Sequence, residues 1–344
     1  TRNENILARS TKMKHYLSLA VIIVLIHLLF GKVESRKLEA NVRGLNSRII
    51  GGTPANAKRY PYYTYLRFFF QSGVVGFCGG TLVKADVVLT AAHCIVDAYD
   101  PIVRIKAYVN YTESVIYTWN LTEYVHVREA KVWIPHKKYD GTTLENDIGL
   151  VILNDPVFEV SPIKMNSDVD LPIDGNPVTA IGHGFVSEGA TPGYTHFLNE
   201  VEISIVAFDD CNDLNSWGGC IRKEAQICAG VSAGGRGTCK GDSGGPLLIV
   251  GSTASEDLQV GLTSFGLKYG CVLVNFPNVF TRVSHYKEWI HNNICQYSNV
   301  KPNSCNDSQP TKKQTKKPTK KQTKKPTKKP TKKQTKKPTK TGIP

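Results

Sequence analysis

The sequence lacks a Cys-x-x-Cys pair, and apart from residues 17–30 it has no long apolar run. The first absence argues against a zinc site, and the second leaves no other segment that could cross a membrane. Residues 49–310 also lack a basic surplus, with 19 Lys and Arg against 26 Asp and Glu. A globular nucleic-acid-binding protein would carry its positive charge on the folded domain, so we exclude that class for this part of the chain.

Residues 311–344 contain no acidic residue but 15 lysines, arranged in Thr-Lys-Lys-Pro and Thr-Lys-Lys-Gln units. Because residues 311–340 have no apolar side chain, they cannot bury a core. We therefore expect residues 299–344 to form a disordered, low-complexity tail. Such a tail is either a solvated extension with no partner or a tether that binds anionic surfaces through its charge.

The N-terminal part of the chain has the pattern of a secretory signal. The first methionine is Met13, and we expect residues 1–12 to be read-through from upstream of the true start. Lys14 followed by the apolar run 17–30 predicts a signal peptide over residues 13–35. A membrane anchor is the alternative, but it needs about 20 apolar residues, more than this run supplies. The sequence thus predicts a secreted, extracellular protein.

Secretion makes the nine cysteines candidates for disulfide bonds. Because nine is an odd number, at least one cysteine is free or pairs with another chain. Three Asn-x-Ser/Thr sequons, at Asn110, Asn120 and Asn306, predict N-glycosylation of a secreted surface.

From Ile49 onward the chain consists of short apolar runs separated by turns that contain Gly and Pro. Residues 201–205 alternate between apolar and polar with a period of two, which is typical of a half-buried strand. Many short strands with turn signals predict an all-β sandwich or barrel. The exception is residues 283–294, whose apolar side chains recur at helical spacing and predict one C-terminal helix.

Three short motifs carry the candidate chemistry. They are Thr90-Ala91-Ala92-His93-Cys94, Asn146-Asp147-Ile148-Gly149-Leu150 and Gly241-Asp242-Ser243-Gly244-Gly245-Pro246. A single histidine or aspartate is usually an ordinary polar or turn residue, but glycines around Asp242 and Ser243 suit backbone N–H groups that converge on one small site. His, Asp and Ser in this order, in a secreted and strand-rich chain, are the residues of a nucleophilic triad.

These motifs resemble those of the chymotrypsin-like (trypsin-like) serine proteases, and the resemblance covers about residues 49–295. Arg48-Ile49-Ile50-Gly51-Gly52 is similar to the activation junction of that family. The resemblance implies an all-β fold of two packed six-stranded antiparallel β-barrels with a C-terminal helix. The protease domain would span residues 49–298.

The resemblance also implies the roles of the site residues. Ser243 would be the nucleophile, His93 the general base and then the general acid, and Asp147 the group that orients the imidazole. The backbone N–H groups of Gly241 and Ser243 would form the oxyanion hole. No cofactor and no metal are expected.

A zymogen is implied as well. Residues 36–48 would be an activation pro-segment, and a trypsin-like protease would cleave after Arg48 to free the α-amino group of Ile49. In the family this ammonium pairs with the carboxylate beside the nucleophile, here Asp242, and the pair orders the oxyanion loop.

The resemblance places a neutral specificity pocket in this chain, lined by Gly237, Ser264, Phe265, Gly266 and Asn278. No carboxylate occupies its base, so tryptic cleavage after Arg or Lys is disfavoured. A wide neutral pocket predicts a chymotrypsin-like preference for Phe, Tyr, Leu or Met, and the Asn278 amide would also suit Asn or Gln. Lys240, beside the oxyanion hole, would favour acidic residues near the cleaved bond.

The family's disulfides map onto Cys78–Cys94, Cys211–Cys228 and Cys239–Cys271. Cys220, Cys295 and Cys305 have no family partner, and two arrangements stay open. Cys295 could pair with Cys305 and leave Cys220 odd, or Cys220 could reach the C-terminal segment. His183 stands where the family usually has Trp, which leaves the local packing open.

The hypothesis from sequence is a monomeric secreted serine endopeptidase. Its partners would be protein or peptide substrates, an activating trypsin-like protease and protein inhibitors. A catalytically silent homologue that acts as a binding module would usually have lost His93, Asp147 or Ser243, and all three are present. A third hypothesis is that the protein is chiefly an adhesive that binds surfaces through its tail. Deletion of residues 311–344 tests this: if enzyme activity survives and only surface binding is lost, the two functions are separable.

Overall fold

The computed structural model describes residues 49–112, 124–185, 197–267 and 270–305. The predicted read-through segment, the signal peptide and the pro-segment with Arg48 lie outside the described residues. The Lys-rich repeats and the predicted glycosylation sites Asn120 and Asn306 also lie outside them.

Strands dominate the described chain. In chain order they are β1 Thr53–Pro54, β2 Tyr63–Phe70, β3 Val75–Lys84, β4 Val87–Thr90, β5 Ile102–Val109, β6 His126–Pro135, β7 Gly149–Leu153, β8 Lys164–Met165, β9 Pro177–Gly182, β10 Asn199–Val206, β11 Gln226–Gly230, β12 Pro246–Ile249, β13 Leu258–Phe265 and β14 Asn278–Arg282. The helices are α1 Ala92–Ile95, α2 Phe208–Cys211 and α3 Lys287–Tyr297, with 3₁₀ turns at Val283–Tyr286 and Asn303–Cys305. None of the helices in the described ranges is both long and apolar enough to cross a bilayer.

Two closed antiparallel barrels account for most of these strands. The first closes in the order β2-β3-β4-β7-β6-β5, with β5 paired back to β2. The second closes as β9-β10-β11-β14-β13-β12, with β12 paired back to β9. β1 extends the edge of β10, and the short β8 pairs in parallel with β13. The predicted fold of two six-stranded barrels is confirmed.

The apolar periodicity of the sequence explains how the strands face the barrel interiors. In β10, Val201, Ile203 and Ile205 are buried, while Glu202 and Ser204 between them are exposed. Such alternation is what one solvated and one buried sheet face requires. The strand thus follows the period of two that its sequence predicts.

The predicted C-terminal helix over residues 283–294 begins as a 3₁₀ turn and continues as α3. Val283, Tyr286, Ile290 and Ile294 are buried in the apolar cluster that fills the first barrel. The helix therefore follows the last strand of the second barrel but packs against the first.

The folded chain continues beyond the predicted domain boundary at residue 298. Ser298 Oγ and the Asn299 N–H both donate hydrogen bonds to the buried Asp86 carboxylate, each at 2.6 Å. A disulfide then joins Cys295 to Cys305. Residues 299–305 are thus tied to the barrels, although the sequence predicts them to be part of the tail.

Disulfides connect eight of the nine cysteines, as Cys78–Cys94, Cys211–Cys228, Cys239–Cys271 and Cys295–Cys305. The first three follow the pairing that the family resemblance implies, and the fourth is one of the two arrangements left open by the sequence. Cys220 is free and exposed.

Candidate active site

A histidine and an aspartate from the first barrel form the centre of the site. β4 ends at Thr90 and leads into α1, which carries His93, while Asp147 lies just before β7. Because Thr90 pairs with Gly149 across β4 and β7, the two side chains meet at one end of the barrel. The Asp147 Oδ2 atom lies 2.8 Å from His93 Nδ1, and its Oδ1 accepts the His93 backbone N–H at 2.8 Å.

The second barrel holds Asp147 from the other side. Ser264 Oγ on β13 donates to Asp147 Oδ2 at 2.5 Å, and Thr281 Oγ1 on β14 donates to the Asp147 carbonyl at 2.8 Å. The Asp147 side chain is fully buried, whereas 25% of the His93 side chain is exposed. Sequence reasoning assigned Ser264 only to the pocket wall and missed Thr281, because a hydroxyl residue in a strand carries no signal of its distant partner.

Asp147 controls the protonation of His93. Burial lowers the pKa of His93, but the charge of Asp147 and its hydrogen bond together outweigh burial and hold the pKa above its ordinary value. Burial raises the pKa of Asp147, yet the His93 charge and the hydrogen bonds from His93 and Ser264 hold it below its ordinary value. The pair thus keeps a carboxylate behind an imidazole that can accept a proton at Nε2.

Ser243 lies in a loop that packs against the strand end before His93. Its carbonyl accepts the Gly79 N–H of β3 at 2.8 Å. The next residue, Gly244, has a φ of +73°, and a Cβ there would lie 2.2 Å from Thr90 Oγ1, so only glycine allows this close approach. Among the described residues Ser243 Oγ makes no hydrogen bond to His93, a contact that catalytic sites often tighten only in the substrate complex.

Two backbone N–H groups of the Ser243 loop have no acceptor among the described residues. Neighbouring N–H groups of this loop donate to backbone carbonyls, as those of Asp242, Gly244 and Gly245 do. Within the described ranges, the N–H groups of Gly241 and Ser243 donate no hydrogen bond. Gly241 has a φ of +95°, and a Cβ there would lie 2.8 Å from the Phe77 ring. Two free donors beside a hydroxyl are what a developing oxyanion requires.

The carboxyl group of Asp242, next to the serine, is completely buried. Its Oδ1 accepts the Gly184 N–H at 2.7 Å and its Oδ2 accepts the Cys239 N–H at 2.9 Å. Burial raises the pKa of Asp242 to about 7 in spite of these two hydrogen bonds, which lower it. A Cβ at Gly182 or Gly184 would lie 2.1 or 2.4 Å from this side chain, so both glycines make room for it.

Ile49 and Ile50 lie at the start of the described chain. Ile49 is fully buried in the apolar cluster of the second barrel. Ile50 forms an antiparallel bridge with Gly237, whose N–H donates to the Ile50 carbonyl at 3.1 Å. The residues of the predicted activation junction are therefore seated against the loop of the predicted pocket.

Asn278 lies against two of the glycines that are predicted to line that pocket, Gly237 and Gly266. Its Oδ1 would lie 2.4 Å from a Cβ at Gly237, and its Nδ2 would lie 2.8 Å from a Cβ at Gly266. Oδ1 accepts the Thr238 N–H at 2.9 Å, while Nδ2 donates to the carbonyls of Thr238 at 3.3 Å and Cys271 at 3.0 Å. Because both Nδ2 hydrogens are used, this neutral amide has little left to donate to any further polar group.

Phe265, on the pocket wall, is supported by a residue that sequence reasoning missed. The Trp217 ring lies edge-on to Phe265 with 5.2 Å between the ring centroids. Trp217 Nε1 also donates to the carbonyl of Pro277, the residue before Asn278, at 3.0 Å. One tryptophan thus contacts both Phe265 and the residue that precedes Asn278.

Comparison with known proteins shows similarity over most of the chain. The family model described as Trypsin matches residues 49–290. The chain belongs to the trypsin family of serine proteases. Trypsin eta of Drosophila melanogaster is 30% identical over 251 residues, covering 71% of this chain and 88% of the relative. Trypsin of Phaedon cochleariae is 32% identical over 255 residues, covering 72% of this chain and 88% of the relative.

A longer relative is also similar to this trypsin-family chain. Human serine protease 56 is 31% identical over 288 residues, which are 80% of this chain but only 43% of that relative. The chain therefore spans less than half of this relative's length. The domain common to all these proteins is that of a serine endopeptidase.

His183 packs in an aromatic cluster of the trypsin-family domain, at the position where the sequence left the packing open. Its ring centroid lies 5.3, 5.9 and 5.1 Å from those of Tyr63, Tyr65 and Tyr111. Burial lowers the pKa of His183 to about 3, so the ring is neutral near pH 7. A neutral imidazole surrounded by tyrosines thus fills the space that the family usually gives to Trp.

Asn110 is the predicted glycosylation site that the structure describes. It has a φ of +62°, and its Nδ2 donates to the Tyr124 carbonyl at 3.1 Å. The nitrogen that would carry a glycan is therefore also part of a local hydrogen bond, and glycosylation stays a prediction.

Two clusters of potential metal ligands occur in the described parts of the domain. They are Cys78, His93 and Cys94, and His291, Cys295 and Cys305. All four cysteines are in disulfides and cannot supply the thiolates that a metal would bind. Each cluster thus keeps only one histidine as a ligand.

Replacing Asp147 with Asn should lower the pKa of His93 below its usual value of about 6.5. Burial lowers the His93 pKa and only the Asp147 charge and hydrogen bond raise it, so removal of the charge leaves burial dominant. NMR titration of the ring in a Ser243→Ala background measures the shift. Ser264→Ala is the matched control, because it keeps the Asp147 charge and should leave the His93 pKa raised. Equal His93 pKa values in the Asp147→Asn and Ser264→Ala variants would contradict the conclusion that the Asp147 charge raises the His93 pKa.

Proposed function

We propose that the protein is a secreted serine endopeptidase, made as a zymogen, that hydrolyses peptide bonds through an acyl-enzyme. The observation that carries the proposal is the pair of unused N–H groups of Gly241 and Ser243. One of them belongs to Ser243 itself, in a loop that packs against the chain just before His93. Family membership supports the reaction class.

The proposed reaction begins when Ser243 Oγ attacks the carbonyl carbon of the scissile bond. His93 Nε2 takes the hydroxyl proton and then gives it to the leaving amine, so an acyl-enzyme and a free amine result. Water deprotonated by His93 then hydrolyses the ester and restores Ser243. In both halves the Gly241 and Ser243 N–H groups stabilise the oxyanion, while Asp147 stabilises the imidazolium.

Activation would follow cleavage after Arg48 by a trypsin-like protease. The new ammonium of Ile49 would pair with the Asp242 carboxylate, which is buried with two backbone hydrogen bonds and has no cationic side chain beside it among the described residues. A nearby cation would lower the raised pKa of Asp242 and keep the group ionised. Because a buried carboxylate is stable only when paired, the ammonium would favour the loop arrangement that exposes both oxyanion donors.

The proposed substrate preference is chymotrypsin-like, for Phe, Tyr, Leu or Met before the cleaved bond. Gly237 and Gly266 leave the pocket without a charge, and the Asn278 amide covers its base. An Arg or Lys side chain would find no carboxylate there to offset the loss of its hydration. The used Nδ2 hydrogens of Asn278 weigh against a preference for Asn or Gln.

Protein processed to begin at Ile49 should cleave a peptide library after large neutral residues. Ser243→Ala should lower kcat/KM by about a million-fold, since loss of the nucleophile removes the whole acyl-transfer route. Full-length Arg48→Gln protein exposed to trypsin should stay inactive. If folded Ile49 material cleaves nothing, the binding-module hypothesis would replace the enzyme.

Asn278→Gly should deepen the pocket and raise kcat/KM for Phe and Tyr substrates relative to Leu, by about tenfold, because the larger rings gain buried area. Gly237→Asp alone should not create tryptic activity, since its Cβ would lie 2.4 Å from Asn278 Oδ1. The Gly237→Asp/Asn278→Gly double variant lacks that clash and should gain measurable cleavage after Arg and Lys, at a cost in stability because Gly237 has a φ of +154°. Tryptic activity in the Gly237→Asp single variant would contradict the position of Asn278.

The Lys-rich repeats would tether the enzyme to anionic surfaces. Deletion of residues 311–344 removes 15 positive charges and should abolish salt-sensitive retention on a sulfated polysaccharide column while kcat/KM for a short peptide stays unchanged. A variant with Gln at every one of these lysines tests whether charge rather than length matters. If protein without residues 311–344 stays on the column at the salt concentration that retains the full-length protein, the tether is ruled out.

A further inference from the structure

The outer face of the first barrel carries a row of cations that begins next to the oxyanion loop. Phe77 on β3 pairs with Arg67 on β2, and Arg67 pairs with Lys106 on β5. Directly paired residues of antiparallel strands share one face of the sheet. Since Phe77 lies against Gly241, the row runs from the oxyanion donor outward across the barrel.

A second row of the same face adds an aromatic ring and another cation. Phe69 on β2 pairs with Arg104 on β5. The guanidinium groups of Arg67 and Arg104 each lie 5.3 Å from the centroid of the Phe69 ring. Stacking on one ring reduces the freedom of two long side chains before any ligand arrives. We call Arg67, Phe69, Arg104 and Lys106 the basic face.

The basic face has more positive than negative charge. Glu129 is its carboxylate, and both Arg104 and Lys106 lie near it, with N–O distances of 2.5 and 3.7 Å. Arg67 is exposed and pairs with no carboxylate among the described residues. Lys240, beside Gly241, is exposed as well. A local excess of cations on a part of the chain that carries net negative charge indicates a surface with a specific anionic partner.

We infer that the basic face binds acidic side chains of the substrate on the C-terminal side of the scissile bond. The inference rests on the proposed function, in which the pocket at Gly237 and Asn278 takes the residue before that bond. The chain after the bond must leave on another side of the oxyanion loop, and Phe77 borders that loop. Neighbouring strands lie about 4.8 Å apart, so Lys106 is about 10 Å from Phe77. An extended peptide covers that distance in about three residues.

The substrate class is therefore a polypeptide with Asp or Glu about two to four residues after the cleaved bond. A long anionic polysaccharide fits less well, because residues 49–310 have seven more acidic than basic residues and would repel a polyanion beyond the small basic face. A short acidic peptide segment meets only the local cations. The basic face thus favours substrates that carry negative charge within a few residues of the cleaved bond.

The test measures peptide binding to Ser243→Ala protein that begins at Ile49, in which no cleavage occurs. Matched peptides carry a large neutral residue before the bond and Glu, Gln or Lys at the second to fourth positions after it. We expect the Glu peptide to bind about tenfold more tightly than the Gln peptide at low salt, since two exposed charge pairs each contribute up to about fivefold. Equal affinity for the two peptides would overturn the inference.

Charge reversal gives the sharper result. The Arg67→Glu/Lys106→Glu variant should bind the Lys peptide more tightly than the Glu peptide, whereas Lys287→Glu on α3 should keep the original order. An unchanged order in the double variant would overturn the inference. In protein without residues 311–344, a sulfated polysaccharide that displaces no peptide but loses its own binding in the double variant would also overturn it. Failure of active protein to hydrolyse these peptides would count against the proposed function alone, because the binding measurement needs no catalysis.

Discussion

The buried carboxylate of Asp147 connects the two barrels. It holds the imidazole and backbone of His93 in the first barrel, and it accepts the Ser264 hydroxyl from the second. A buried group that loses one hydrogen-bond partner typically costs about 1–3 kcal/mol, so the Ser264 hydroxyl of the second barrel adds to the stability of the carboxylate. Docking of the second barrel thus stabilises and shields a His93–Asp147 pair whose two members the first barrel already holds together.

Backbone atoms contribute as much to this site as side chains do. Gly244 allows the serine loop to touch Thr90, and Gly241 allows it to touch Phe77, at distances that any Cβ would prevent. The same loop leaves the N–H groups on either side of Asp242 without acceptors in the described chain. Buried donors without an acceptor are costly, so these two N–H groups favour an acceptor from outside the described chain, the role that the proposed mechanism gives to the substrate oxyanion.

Local pattern was enough to predict the strands and to reveal the three motifs, and the family resemblance of those motifs implied the two barrels. The alternation in β10 and the order of His93, Asp147 and Ser243 are visible in short windows of the sequence. Contacts between distant residues were not visible in this way. The hydrogen bond from Ser264 to Asp147 joins residues 117 positions apart, and the amide of Asn278 reaches Thr238 over 40 positions. His183 shows the same limit, because its tyrosine neighbours come from β2 and from the segment after β5.

The Cys295–Cys305 disulfide closes a covalent loop immediately before the lysine-rich part of the chain. If those lysines hold the enzyme on a surface, flow or movement of that surface exerts a mechanical load on the chain at Cys305. The covalent bridge carries that load directly to α3, whose apolar side is buried against the first barrel. The residues between the two cysteines then carry none of the load. The strength of the anchorage depends on how well α3 is packed against the first barrel.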